Sequence, residues 1–312
     1  MEIELDQLIA PFNLRHTLEC GQAFRWETLG GWWYGVVKGK VIKIRQVGDI
    51  LEFQSFPERV TKDFIKNYFR LDDNLPFILS EINKDEHIRK AIQHFYGLRI
   101  TRQEPWECLI SYICATHKSI PAIKQMIHNL CRQFGRKITF DGHGFYTFPE
   151  PSDLANASLE DIRKCKLGFR AERVLETSKI ISNRKLDLAA LRQLDYQKAK
   201  SELLRLPGVG HKVADCVLLF SLDRLQAFPV DVWVKKAVLE LYQEFFNQSF
   251  IKNASQKSSI SHHDYKMLSD FGKKYFGQYA GYAQEYLYHW KRLEQVIHKE
   301  RVYEKRGARV RF

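Results

Sequence analysis

Apolar positions between residues 33 and 55 fall into three short β-prone runs, at 33–37, 41–46 and 50–55. Gly30-Gly31, Lys38-Gly39 and Val47-Gly48-Asp49 punctuate them as turn signals. Within them KVIKIRQ alternates apolar and polar residues, as a strand buried on one face should. From about Leu75 the period lengthens. Apolar residues recur at helical spacing over 86–95, 105–115, 120–134, 159–164 and 171–181, with Pro105 suited to a first helical position. The polar, Ser/Asn-rich stretch 247–263 reads as a loop, and helix resumes around Tyr265. The pattern predicts an α+β chain. An N-terminal antiparallel, twisted β-sheet domain with connecting helices covers 1–100, a mainly helical domain covers 101–290, and a basic tail covers 291–312.

The chain of 312 residues is long enough for two or three packed domains. Its apolar runs all fall short of the ~20 residues that span a bilayer. The opening MEIELDQLIAPF lacks the basic-then-apolar layout of a signal peptide. A soluble, cytoplasmic protein is expected, nucleoid-associated in a prokaryote. The formal charge of +12 points to a polyanionic partner. The tail contributes eight Lys/Arg against three Glu and reads as a solvated terminal helix or a DNA-touching arm. Cys20, Cys108, Cys114, Cys131, Cys165 and Cys216 form no C-x-x-C pair and no iron–sulfur loop, so they read as small core residues.

Candidate chemistry concentrates in one stretch. A helix beginning near Ala199 is broken by Leu206-Pro207-Gly208-Val209-Gly210, and a second helix starts near His211. This is a helix–hairpin–helix, whose turn and helix N-terminus aim backbone N–H groups at a phosphate. Gly208, Gly210 and His211 are therefore candidate DNA-backbone residues; a structural cation at the hairpin stays open. Lys212, two residues after the second glycine, lies in the first turn. A cation there opposes the helix dipole, which favours a neutral, nucleophilic amine. The competing role is an ordinary phosphate contact. Asp231, nineteen residues later in FPVDVW, suits the N-cap of a helix starting at Val232 and could also present its carboxylate to a reacting sugar.

LPGVGHKVADC…PVDV resembles the helix–hairpin–helix glycosylase superfamily, and more narrowly its 8-oxoguanine DNA glycosylase/lyases. CGQAFRW at 20–26, ECLISYIC at 107–114, GFRA at 168–171 and YAGYAQEY at 279–286 extend the likeness over most of the chain. The cysteine pattern argues against the endonuclease III and adenine-glycosylase branches, and Lys212 against the alkyl-purine branch. The resemblance implies a monomer acting on double-stranded DNA containing an oxidised guanine, with no cofactor and no membrane partner. Lys212 would attack the sugar C1′ and form a Schiff base, with Asp231 assisting. Gly21 would read the N7–H that distinguishes 8-oxoguanine. Cys216 and Tyr288 would sandwich the flipped base, and Gln284 would bond its Watson–Crick edge. Phe169 and Arg170 would wedge into the duplex and contact the estranged base. Three positions depart from the pattern. His117 replaces an asparagine in a DNA-contacting run, Ala122 replaces an arginine that reads cytosine, and Trp233 replaces a phosphate-binding histidine. Relaxed opposite-base selectivity is expected. A non-enzymatic helix–hairpin–helix DNA-binding module, and a glycosylase for another lesion, remain open.

Overall fold

The computed structural model describes residues 1–6, 8 and 10–307, with side chains described through residue 294. Its chain forms two compact units, neither continuous in sequence. The first takes Met1–Phe77 and Tyr96–Leu225; the second takes Ile78–Phe95 and the chain from Gln226 onward.

The first unit opens with a five-stranded antiparallel sheet: β1 (Glu2–Glu4), β2 (Trp26–Leu29), β3 (Trp32–Val37), β4 (Lys40–Val47) and β5 (Ile50–Phe56), in the order β1-β5-β4-β3-β2. The three expected runs are β3, β4 and β5. One face carries Ile42, Ile44, Leu51 and Phe53 into a core with Phe12, Leu18, Trp26, Ile65 and Phe69. Alternation in KVIKIRQ predicted polar residues opposite, yet Val41 is also fully buried. A second hairpin, β6 (Lys137–Phe140) and β7 (His143–Tyr146), supplies the reason. Its Ile138, Phe140 and Phe145 pack on Tyr34, Val36 and Val41. Asp141 in its turn accepts hydrogen bonds from the Tyr34 hydroxyl (2.8 Å) and the Lys43 ammonium (2.5 Å).

Helices complete this unit. Pro105–Cys114 has Pro in its first turn, and the Glu104 carboxylate accepts from the Glu107 N–H at 2.8 Å. Every residue from Cys108 to Cys114 is buried, so this helix runs through the middle of the unit. Ile120–Phe134, Leu159–Lys164 and Arg170–Ser182 fall within a residue of their expected positions. All six cysteines are buried as thiols, and burial pushes the Cys114 thiol up to about 12.

In the second unit Glu86–His94, Val232–Leu241, His262–Phe276 and Ala280–Gly307 surround a core containing Phe228, Tyr242, Leu268, Phe276 and Tyr286. Asp85 caps the first of these, accepting from the His87 and Ile88 N–H groups. It also accepts from the Tyr275 hydroxyl at 3.1 Å.

The stretch 247–263 corrects the expectation of a loop, because it contains the helix Gln248–Gln256. Asn247 caps it, accepting from the Phe250 N–H at 2.7 Å. Buried Phe250 and Ala254 lie four residues apart on one face, which suffices for a helix whose other faces are polar. The expected basic tail begins inside the C-terminal helix. Lys291 is buried there and pairs with Glu240 (2.8 Å) and Glu294 (3.0 Å). Residues 308–312 of that tail lie outside the described residues. Among the described residues no helix is long and apolar enough to cross a membrane.

Candidate active site

The hairpin is built from Tyr196–Leu204, the turn Leu206–Gly210 and His211–Ser221. Asp195 caps the first helix, accepting from the Lys198 N–H at 2.9 Å. Gly208 sits at φ +81°, in the left-handed region that glycine tolerates. Gly210 is not in that region, and its φ of −93° suits any residue. Its requirement is one of access: a Cβ there would meet nothing within 4 Å, so the bare backbone faces open space. As N-cap it brings no side chain to the first-turn N–H groups, an arrangement suited to a phosphate oxygen.

Lys212 occupies the first turn of this helix, half-buried, and Cys216 lies one turn further in, buried on the same face. The Lys212 ammonium stands 4.7 Å from the centre of the Tyr112 ring. Tyr112 is stacked on Phe220 at 5.5 Å, and its hydroxyl donates to the Gln22 carbonyl at 3.0 Å. One aromatic side chain therefore connects the candidate nucleophile to the segment after Gly21. The sequence hid it in the apolar pattern of Pro105–Cys114.

Gly21 has φ +103°, again a backbone conformation suited to glycine. The neighbouring Gln22 fixes this turn from the interior. Its amide nitrogen donates to the carbonyls of Thr17 (3.0 Å) and Arg99 (2.7 Å), and its amide oxygen accepts from the Thr101 N–H at 2.8 Å. Gln22→Leu would leave those buried groups unpaired, so we expect a stability loss of about 2–4 kcal/mol. Urea unfolding should show a lower midpoint at unchanged m-value. A midpoint within error of the parent would mean that Gln22 does not hold the turn.

Asp215 is a second residue the sequence did not flag. It is fully buried three positions after Lys212, with carboxylate oxygens accepting from the Tyr196 hydroxyl (2.6 Å) and the Lys200 ammonium (2.7 Å). The network ties both hairpin helices together, and removing one partner would strand a buried charge. A carboxylate amid VADCVLLF, with a lysine fifteen residues earlier, was the available signal.

Phe169 and Arg170 open the helix Arg170–Ser182 and have opposite environments. Phe169 is 56% exposed, whereas Arg170 is 2% exposed. The Arg170 guanidinium donates to the Leu167 carbonyl at 3.2 Å and to the Thr116 carbonyl. It thereby braces the loop holding exposed His117, which has a left-handed φ of +54°.

In the second unit Asp231 is the N-cap of Val232–Leu241, as its sequence context predicted. One carboxylate oxygen accepts from the N–H groups of Trp233 and Val234, each at 2.9 Å. Trp233 lies half-buried in the first turn, with the Lys236 ammonium 5.2 Å from its ring. Gln284 and Tyr288 lie four residues apart on one face of Ala280–Gly307. Gln284 is 5% exposed, and among the described residues nothing donates to its buried amide oxygen. Tyr288 is half-buried, with the Arg292 guanidinium 5.7 Å from its ring. Among the described residues no group of three or more His, Cys, Asp or Glu side chains is placed to hold a metal ion.

Comparison with known proteins matches both parts of the chain. Residues 5–109 match the 8-oxoguanine DNA glycosylase N-terminal domain, and residues 110–248 match the HhH-GPD superfamily of base excision DNA repair proteins. An N-glycosylase/DNA lyase of Saccharomyces cerevisiae is 32% identical, over 88% of this chain and 82% of that protein. The N-glycosylase/DNA lyase OGG1 of Arabidopsis thaliana is 30% identical, over 89% and 79%. The structure of Clostridium acetobutylicum 8-oxoguanine glycosylase/lyase, solved with double-stranded DNA containing cytosine opposite 8-oxoguanine, superposes with a TM-score of 0.80 at 32% identity, covering 91% of this chain and 93% of that one. The sheet, the hairpin with its lysine and the capping aspartate thus belong to a chain of the 8-oxoguanine DNA glycosylase family, within the helix–hairpin–helix superfamily of base-excision repair enzymes.

Proposed function

We propose that this protein is a bifunctional glycosylase and abasic-site lyase that removes 8-oxoguanine from duplex DNA. The observation that carries the reading is the position of Lys212, in the first turn of a helix whose N-cap is a bare glycine. The hairpin holds the DNA backbone, and the damaged nucleotide swings out of the stack, since its reacting atom is unreachable inside a duplex. The Lys212 amine adds to C1′ as the glycosidic bond to N9 breaks, and the base leaves with a proton. Opening of the sugar ring gives a Schiff base. Loss of a C2′ proton and departure of the 3′-phosphate then cut the strand. The Asp231 carboxylate stabilises the cationic sugar as the base departs. Gln284, whose amide oxygen has no donor among the described residues, reads donors on the guanine edge, while Cys216 and Tyr288 hold its faces. Gly21 reads the added N7–H.

Opposite-base recognition is expected to be relaxed. Ala122 offers no side-chain donor, and the Arg170 guanidinium is already engaged by two backbone carbonyls. Losing one good bidentate contact removes about 1–3 kcal/mol of discrimination. Single-turnover excision on four duplexes differing only opposite 8-oxoguanine should give comparable rates. A cytosine preference of about a hundredfold or more, some 2.7 kcal/mol, would refute that expectation. The same assay across duplexes with other damaged bases tests the lesion assignment, which fails if another lesion is removed faster.

A further inference from the structure

We propose that Arg173 is a DNA-phosphate contact that also fixes the exposed Phe169 ring, a role that rests on the glycosylase reading above. Phe169, Arg173 and Thr177 lie four residues apart along one stripe of Arg170–Ser182. This stripe is locked to the hairpin at two points. The Thr177 hydroxyl donates to the Pro207 carbonyl at 3.0 Å. One turn earlier the stem of Arg173 fills the space beside Gly208, where an added Cβ would stand 2.9 Å from Cδ and 3.0 Å from Cβ. The bare glycine thus lets the arginine stem lie directly on the hairpin backbone.

From there the Arg173 guanidinium reaches 4.9 Å from the centre of the Phe169 ring, and the Arg170 guanidinium stands 4.3 Å from the same ring. The ring is held by two cations whose own stems are fixed, so its exposed orientation is set before any partner arrives. The arrangement also concentrates like charge. Burial pulls the Arg170 guanidinium below its ordinary range, and the Arg173 charge adds to the effect. Arg170 gives two of its hydrogen bonds to backbone carbonyls, and among the described residues no ion pair joins a carboxylate to Arg173. A half-buried guanidinium beside an anion-binding hairpin, with no carboxylate partner among the described residues, matches a backbone phosphate neighbouring the one the hairpin holds.

Arg173→Gln is the informative variant, since glutamine keeps Cβ and Cγ, sets its amide carbon where Cδ packs on Gly208, and removes the charge. Binding to an 8-oxoguanine duplex and to an undamaged duplex is measured by fluorescence anisotropy across a salt series. The slope of log Kd against log salt should shrink by about one on both duplexes, as expected for one lost phosphate contact. Arg173→Lys should restore the slope. A wild-type slope for Arg173→Gln on both duplexes would overturn the proposal, and so would weakening confined to the lesion duplex. Failure of the glycosylase reading is separately visible as wild-type protein that binds both duplexes but releases no base.

Discussion

Replacing Lys212 with Gln is expected to abolish base release and covalent capture while leaving lesion binding in place. Lys212 is half-buried on the first turn of its helix, where glutamine is well tolerated. The substitution loses the contact between its ammonium and the Tyr112 ring, worth about 0.5–1 kcal/mol, so the fold should survive. The hairpin amides and the proposed base-reading residues remain. Removing the nucleophile should lower single-turnover excision by about a thousandfold or more, at least ~4 kcal/mol of transition-state stabilisation. Anisotropy with an 8-oxoguanine duplex should give a Kd within about threefold of the parent, some 0.65 kcal/mol. Excision near the parental rate would remove Lys212 from the chemistry.

Asp231→Asn should separate capping from catalysis. The Asp231 carboxylate accepts two backbone hydrogen bonds at 2.9 Å, and asparagine caps helices about as well. Loss of the charge at a helix N-terminus costs about 0.3–1 kcal/mol, so thermal unfolding should shift by only a few degrees. Excision should nonetheless fall by about a hundredfold or more, because an amide cannot offset charge developing on the sugar. A fully active Asn variant would leave Asp231 a structural cap.

Much of this was readable in the sequence where local chemistry decides the outcome. The Leu206–Gly210 break, the helix from His211 and the Asp231 cap are set by proline, glycine and capping geometry within a few residues. The strands β3, β4 and β5 declared themselves by alternation between turn signals. Long-range effects were not visible. Val41 looked like the edge of a half-buried strand until a later hairpin covered it; the Asp141-Gly142 pair marking that hairpin was the overlooked local cue. Gln248–Gln256 was masked by its polarity, because two buried residues and one cap suffice to hold a helix. The residues from Glu86 to His94 group with the chain beyond Gln226, a relation that only tertiary packing defines. Within the candidate site the place of Lys212 on the hairpin helix, the Asp231 cap and the hairpin glycines were legible by type and spacing. Tyr112, Asp215 and Arg173 were not, because their roles come from contacts with residues far along the chain. The burial of Arg170 was equally invisible, since it depends on the carbonyl of Thr116 in another loop.

Covalent joining of the Lys212 amine to the sugar of the damaged nucleotide can be measured directly. The protein is incubated with an 8-oxoguanine duplex and borohydride, which reduces a Schiff base to a stable amine. The adduct is then digested and its peptides are mapped by mass spectrometry. A one-to-one adduct whose DNA-derived mass lies on Lys212 is expected, absent with the undamaged duplex and absent from Lys212→Gln. An adduct on another residue, or base release without any trapped species, would rule out Lys212 as the nucleophile.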